Sequence, residues 1–177
     1  MKQLHIVAIG GTLRAESGTS LALSAALAYA QGAGARTTLL TGEAIDFPNF
    51  EPESALTNDA IGRFLDVVRS ADGVVIGSPG YHGSLSGLVK NALDHIELLR
   101  GDPRVYLDGM PVGIVATAAG WQAAMSTVQA LRTITHALRG WPTPLGVAIN
   151  SSDPDALTAA DGQIGVMMGQ MMGFLQG

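Results

Sequence analysis

Short apolar runs alternate with amphipathic stretches along most of the chain. The runs end in glycine, proline or small polar residues, which is typical of buried strands, and the stretches between them repeat apolar residues at helical spacing. This pattern predicts five strands, at residues 4–9, 37–40, 73–77, 111–116 and 145–149. It predicts five helices, the first capped at 17–20 and running to about residue 30, the others at 60–69, 85–99, 125–138 and 163–175.

Strict alternation of strands and helices predicts an α/β fold with a doubly wound, five-stranded parallel sheet and helices on both faces. We expect the flavodoxin-like strand order 2-1-3-4-5, whose topological switch lies between the first and third strands. Ligands bind beside such a switch, at the carboxyl ends of the strands. The loops there are residues 10–20, 78–84 and 117–121. Because no linker or repeat divides the chain, we expect one domain over residues 1–177.

Hydropathy is high for a globular domain, with 47% hydrophobic residues and a mean hydropathy of +0.27. The longest uncharged stretch, residues 109–131, contains proline, glycines and hydroxyl residues, so it reads as strand, loop and helix start rather than a membrane span. Met1 and Lys2 lead directly into an apolar segment without a signal-peptide pattern. These features predict a cytoplasmic protein with no membrane partner.

The chain contains no cysteine, which excludes disulfides, thiolate metal sites and cysteine nucleophiles. Redox chemistry would therefore require a cofactor. The net charge of −5, with few and scattered basic residues, argues against nucleic-acid binding. The three loops contain no carboxylate pair, Ser-His-Asp set or metal-ligand cluster, so we predict neither a catalytic side chain nor a metal site.

The first loop has the composition of a phosphate cradle. Its glycines, including Gly11, expose backbone N–H groups before a helix N-terminus, and Arg14 adds a forked positive charge. The predicted hydroxyl donors are Thr12, Ser17, Thr19 and Ser20. A capped helix beside an exposed arginine is the structural alternative. The loop lacks the Gly-Lys-Ser/Thr ending of a P-loop and the third glycine of a dinucleotide fingerprint.

The second and third loops are predicted to receive a planar heterocycle. In the second, glycines allow backbone groups to approach a ring edge, although a simple Pro-Gly turn would explain the same residues. Its candidate binding residues are Pro79, Gly80, Tyr81, His82, Gly83 and Ser84. In the third, Thr117 and Gly120 leave room for a ring. Trp121 offers an aromatic wall, or equally a packing residue.

The C-terminal helix carries a stripe of four methionines, at 167, 168, 171 and 172. Methionine at helical spacing is typical of core or subunit-interface packing. Separately, a small acidic domain with amphipathic helices this apolar favours a homo-oligomer.

The loop motifs resemble those of the NADPH-dependent FMN reductase family. Its members carry a Gly-Ser-x-Arg-x-x-Ser-x-Asn phosphate loop, then a Pro-x-Tyr-x-Gly-Ser loop before a Lys-Asn-Ala-Leu-Asp helix. The matching segments are 11–14 with Ser17, 79–84 and 90–94, and the second is the most specific. Thr12 replaces the family's serine and keeps its hydroxyl, while Thr19 stands where the family often has asparagine. The resemblance extends from the first strand to the fifth.

This resemblance implies an oxidoreductase that binds FMN and reduces it with NADPH or NADH. Hydride would pass to FMN and electrons onward to free flavin, quinone or a similar small acceptor. It also implies a homodimer or homotetramer, with the helix at 86–99 often at the dimer contact. A flavodoxin-type electron carrier without NAD(P)H activity, and a regulatory module of the same fold, are the alternatives.

Overall fold

A parallel sheet between two helical layers forms the centre of the molecule, and the structure, a computed structural model, describes residues 2–177. The strands are β1 (His5–Gly10), β2 (Arg36–Leu40), β3 (Gly73–Tyr81), β4 (Ser84–Leu85), β5 (Pro111–Ala118), β6 (Trp141–Pro142) and β7 (Val147–Asn150). The helices are α1 (Gly18–Gly32), α2 (Pro52–Ala55), α3 (Asp59–Ser70), α4 (Gly87–Asp94), α5 (Trp121–Ala137) and α6 (Ala156–Gln176). Two 3-10 helices cover Gly42–Ile45 and His95–Leu99.

The sheet has the predicted flavodoxin-like order. β2, β1, β3 and β5 lie side by side, and β7 continues the sheet beyond β5, all in parallel. These are the five predicted strands, in the order 2-1-3-4-5. The prediction of five strands was nevertheless too low, because β6 also pairs with β5, and β4 pairs antiparallel with β3. Each added strand has two residues, which is too short to produce a hydropathy pattern.

Several predicted boundaries also change. α5 begins at Trp121 and α6 at Ala156, earlier than the apolar repeat suggested, because the first turn of each contains only one large apolar residue, Trp121 and Leu157. The helix predicted at 85–99 is α4 followed by the 3-10 helix His95–Leu99. The irregular segment 42–58 contains the 3-10 helix Gly42–Ile45 and the single turn α2.

The two faces of the sheet bury separate apolar cores. α3, α4 and α5 cover one face, where Val7, Ile9 and Ile76 point. α1 and α6 cover the other, above Ile6 and Val75.

The four methionines of α6 lie in this second core, at most 8% exposed, so the core reading of the stripe is confirmed. Met167 and Met171 lie directly over Gly113 of β5, where a Cβ would come within 3.2 Å of both side chains. Glycine in the strand thus makes room for the long thioether side chains. No helix within residues 2–177 is long and apolar enough to span a membrane.

Candidate cofactor cleft

The first loop turns sharply away from β1 because of a close contact with β3. Gly11 N–H donates to Gly77 O at 3.1 Å, and a Cβ on Gly10 would lie only 1.7 Å from the same oxygen. Gly10 also has a φ of 143°, a conformation that side chains disfavour. Glycine at this position therefore allows the loop to begin at the carboxyl end of β1.

Beyond the glycines, the loop presents a set of unpaired backbone donors. Thr12 Oγ1 accepts from Arg14 N–H at 3.1 Å, and Ser17 caps α1 by accepting from Ser20 N–H at 3.1 Å. In the described part of the chain, no acceptor is found for the N–H groups of Thr12, Leu13, Ala15, Glu16, Gly18 and Thr19. Free N–H groups at a helix N-terminus form an anion site, reinforced by the helix dipole.

The side chains of this loop divide into exposed and buried groups. Arg14 is exposed and forms no ion pair with any residue from 2 to 177. Thr19 and Ser20 are almost fully buried; the Thr19 hydroxyl pairs with that of Thr117, and the Ser20 hydroxyl with those of Ser17 and Thr41. These two hydroxyls, predicted as phosphate donors, therefore already have protein partners and hold α1 against the sheet.

The second loop is a β-hairpin, contrary to the open loop predicted for residues 78–84. β3 continues to Tyr81, and β4 returns from Ser84, so that Tyr81 pairs with Ser84. His82 and Gly83 occupy the tip with φ values of 51° and 93°, the pattern of a type I′ turn. Pro79 is buried in the strand and His82 is exposed at the tip.

Hydrogen bonds attach this hairpin to α4. Ser78 is buried, and its hydroxyl accepts from Ser86 N–H at 2.9 Å while donating to Pro79 O. Ser86 in turn caps α4 by accepting from Val89 N–H at 3.2 Å. The relative positions of hairpin and helix are thus fixed by two serines.

Gly80, predicted as a ligand-binding residue, lies in a tightly packed position. A Cβ there would lie 2.5 Å from Thr127 Oγ1 and 3.1 Å from Ala118 Cβ. The glycine therefore permits close packing of β3 against α5, and its contact with a ligand stays a prediction.

An open cleft of about 330 Å³ separates the first loop from the hairpin and the start of α4. It is lined by Gly11, Thr12, Leu13, Arg14, Tyr81, Ser86, Gly87 and Leu88. Its volume and its largely apolar lining with a few polar groups are typical of cofactor sites. The structure thus brings together the predicted Gly11, Thr12, Arg14 and Tyr81. Sequence reasoning missed Leu13 and Leu88, whose apolar side chains beside polar loop residues were the available signal.

The third loop adjoins the first but does not bring Trp121 to this cleft. Thr117 reaches the first loop through its hydroxyl pair with Thr19. Trp121, 60% exposed, begins α5 and lines a separate cavity with Ile149, Asn150 and Asp153. Between them, Gly120 N–H donates to Asn150 Oδ1 at 2.8 Å. Asn150 directly follows the predicted fifth strand, and its position there was the signal that sequence reasoning missed.

Within residues 2–177 the structure holds no group of three or more His, Cys, Asp or Glu side chains suited to a metal ion. The cleft's chemistry therefore lies in its backbone donors, one guanidinium and an aromatic-lined wall.

Comparison with known proteins agrees with this geometry. The model of the NADPH-dependent FMN reductase family matches residues 4–154. An FMN-dependent NADPH-azoreductase of Staphylococcus haemolyticus is 35% identical over 109 residues, which are 62% of this chain and 54% of that protein. The chain thus spans about half the length of this relative.

Solved structures show the fold. An apo NADH:FMN oxidoreductase superposes with a TM-score of 0.73 at 22% identity, over 96% of this chain and 90% of its own. A flavodoxin variant from Pseudomonas aeruginosa superposes with a TM-score of 0.63 at 11% identity, over 96% and 99%. Both likenesses confirm the flavodoxin-like fold.

Proposed function

Because the chain belongs to the NADPH-dependent FMN reductase family, we propose that it binds FMN in the cleft and reduces it with NAD(P)H. Electrons then pass to a small acceptor such as free flavin or a quinone. The observation that carries this proposal is the set of unpaired N–H groups in the first loop, beside the exposed Arg14 and at the mouth of the cleft. A homodimeric or homotetrameric assembly and a cytoplasmic location, both predicted from the sequence, are part of the proposal.

The first loop suits the FMN phosphate. Six free N–H groups and the N-terminus of α1 favour a dianion, and Arg14 adds a positive charge from the exposed side. The Thr12 hydroxyl, half-buried at the cleft wall, donates to Arg14 O at 3.3 Å and accepts from Arg14 N–H, so it shapes the loop around these donors. Ser17, Thr19 and Ser20 support these groups from beneath, since their hydroxyls are already paired.

The cleft walls suit the rest of the cofactor. Leu13, Tyr81 and Leu88 offer apolar and aromatic surface, and Tyr81 is 54% exposed and therefore available for stacking. When bound, FMN supplies the redox chemistry by taking a hydride from a nicotinamide and returning electrons to an acceptor. The protein's part is to hold the two rings together and exclude water between them, which requires no side-chain base.

The flavodoxin-type carrier is the alternative that the fold also allows. A carrier exchanges single electrons with protein partners and has no place for a nicotinamide. The exposed Tyr81 beside an open cleft favours the reductase, because a second ring has room to enter.

Two linked measurements test the proposal. FMN and riboflavin are titrated separately into the apoprotein, with flavin fluorescence as the readout. We expect FMN to bind more tightly, since riboflavin lacks the phosphate for which the first loop provides donors. NADPH consumption is then followed with FMN and a quinone. Equal affinity for the two flavins, or no consumption above a protein-free control, would contradict the proposal.

A further inference from the structure

The two helical layers differ in charge. On one face of the sheet, α3, α4 and α5 carry seven charged residues: Asp59, Arg63, Asp66, Arg69, Lys90, Asp94 and Arg132. On the other face, α1 has 15 residues and no charge, and α6 has 21 residues and one, Asp161. The whole chain is 14% charged. The α1 and α6 layer is therefore far less polar than a solvent-facing layer of this protein should be.

These two helices form one continuous surface. Tyr29 of α1 donates to Asp161 Oδ2 of α6 at 3.0 Å, and its ring lies against Gly165, where a Cβ would be 3.0 Å from the ring. Large apolar side chains point outward from the layer: Leu21, Tyr29, Val166 and Phe174 are 40–55% exposed. We call these four residues the α1–α6 face. At its edge, the 61% exposed Trp141 lies beside Phe174, with ring centroids 6.1 Å apart.

Small residues give the face a shape that another helix can fit. Gly162, Gly169 and Gly173 flank Val166 on the outside of α6, and a Cβ at any of the three glycines would meet nothing. Glycine inside a helix is unfavourable by about 1 kcal/mol relative to alanine. Their spacing around Val166, alternately three and four residues, is that of a helix–helix seam. Backbones can approach closely along such a seam.

The face is large enough for a stable contact. At 1.5 Å per residue, α1 and α6 are about 22 and 31 Å long, and neighbouring helix axes lie about 8–10 Å apart. Their outer surface therefore offers about 500 Å² per copy, which reaches the total of about 1,000 Å² expected of a specific interface.

From these features we propose that the α1–α6 face is an interface between two copies of this chain. Each copy carries a net charge of −5, so two copies repel one another least across the layer that holds a single charge. A charged partner would leave its own charges unpaired on this surface. An anionic bilayer would find no Lys or Arg on either helix. Two identical uncharged faces match each other, as an isologous contact requires.

The test is the mass of the full chain in solution, measured by light scattering after size-exclusion chromatography over a range of micromolar concentrations. Val166→Glu and Leu21→Glu each place a carboxylate on the face at an exposed position. Met125→Glu is the matched control, because Met125 is 47% exposed on α5, in the opposite layer. Thermal melting followed by circular dichroism confirms that each variant is folded.

We expect an oligomeric wild-type chain, and a dissociation constant raised at least tenfold by either Glu variant, with the observed mass halved at low concentration. Met125→Glu should keep the wild-type mass. A monomeric wild type overturns the proposal, and so does an oligomer that both face variants leave intact. A monomer that sediments with phosphatidylcholine vesicles would assign the face to lipid and overturn it as well. None of these outcomes depends on flavin reduction.

Discussion

Arg14 is the residue on which the proposed phosphate site depends most. Its guanidinium is exposed at the mouth of the cleft and unpaired within the described residues, so it is available to an anion. A hydrogen bond to a charged group is worth about 1.5–3 kcal/mol. Arg14→Ala should therefore weaken FMN binding by about 10-fold to 150-fold, as measured by fluorescence titration.

Two further variants control this measurement. Arg14→Lys keeps the charge and loses the forked geometry, and should bind with intermediate affinity. Arg63→Ala removes an exposed charge from α3, on the layer formed by α3, α4 and α5, and should bind FMN like the wild type. An unchanged affinity in Arg14→Ala would remove this residue from the site.

The helical spacing of α1 explains why two of the predicted phosphate donors are buried and paired with other hydroxyls. Thr19 and Ser20 precede Leu23 by four and three residues, so they fall on the same buried face as Leu23 and Leu27. The sequence already contained this information, since the apolar repeat defines the face. The pairing of Thr19 with Thr117 could not be predicted in the same way, because it joins positions 98 residues apart.

At the scale of elements, Asn91 connects α4 to the segment before α2. Its Oδ1 accepts from Phe50 N–H at 2.9 Å, and its Nδ2 donates to the carbonyls of Phe47 and Pro48 at 2.9 and 3.0 Å. The rings of Phe47 and Phe50 pack edge-on against His95. Residues 47–50 have no neighbouring strand to pair with. The Asn91 side chain supplies the hydrogen-bond partners for their backbone instead.

Asn91→Ala should lower the free energy of unfolding by about 1–3 kcal/mol, because three hydrogen bonds are lost at a half-buried position. Urea denaturation measures this change. The neighbouring Lys90→Ala removes only an exposed ion pair with Asp94 and should change stability by less than about 1 kcal/mol. Equal effects for the two variants would show that the Asn91 bonds contribute little.

The hydrophobic pattern predicts some of these elements much better than others. β1, β3 and β5 are continuous valine- and isoleucine-rich runs buried on both sides, and such runs identify parallel strands directly. β4 and β6 form only because they pair with a neighbouring strand. With two residues each, they are too short to show a strand pattern in the sequence. Trp121 was placed in a loop because the helical repeat starts at Met125, whereas backbone geometry at Gly120 starts α5 earlier.

At the scale of the whole molecule, stability should depend on pH through His5 at the amino end of the sheet. His5 is 2% exposed, Arg36 donates to its Nδ1 at 2.8 Å, and its Nε2 donates to Thr38 Oγ1 at 2.8 Å. Burial, and then the Arg36 charge, lower the pKa of His5 from its usual 6.5. Asp72, nearby, acts in the opposite direction but more weakly.

The folded state therefore keeps His5 neutral, while the unfolded chain takes up a proton as the pH falls through 6.5. The stabilising contribution is complete above that pH and is lost progressively below it, towards the lower pKa of the folded state. The thermal midpoint of the wild type should accordingly fall between mildly alkaline and mildly acidic pH. His5→Gln, which cannot titrate, should show a smaller fall. Parallel curves for the two proteins would exclude His5 as the source.

The central claim is that this cleft binds FMN and places a nicotinamide beside it. Rapid anaerobic mixing of the FMN-loaded protein with NADPH or NADH tests this claim most directly. The visible absorbance of oxidised flavin should disappear within seconds with at least one coenzyme, at about 1–10³ per second as in typical enzymes. Admitting a quinone should restore it through repeated cycles. A flavin that stays yellow for many minutes with both coenzymes, yet is bleached by dithionite, would contradict the reductase and support an electron carrier.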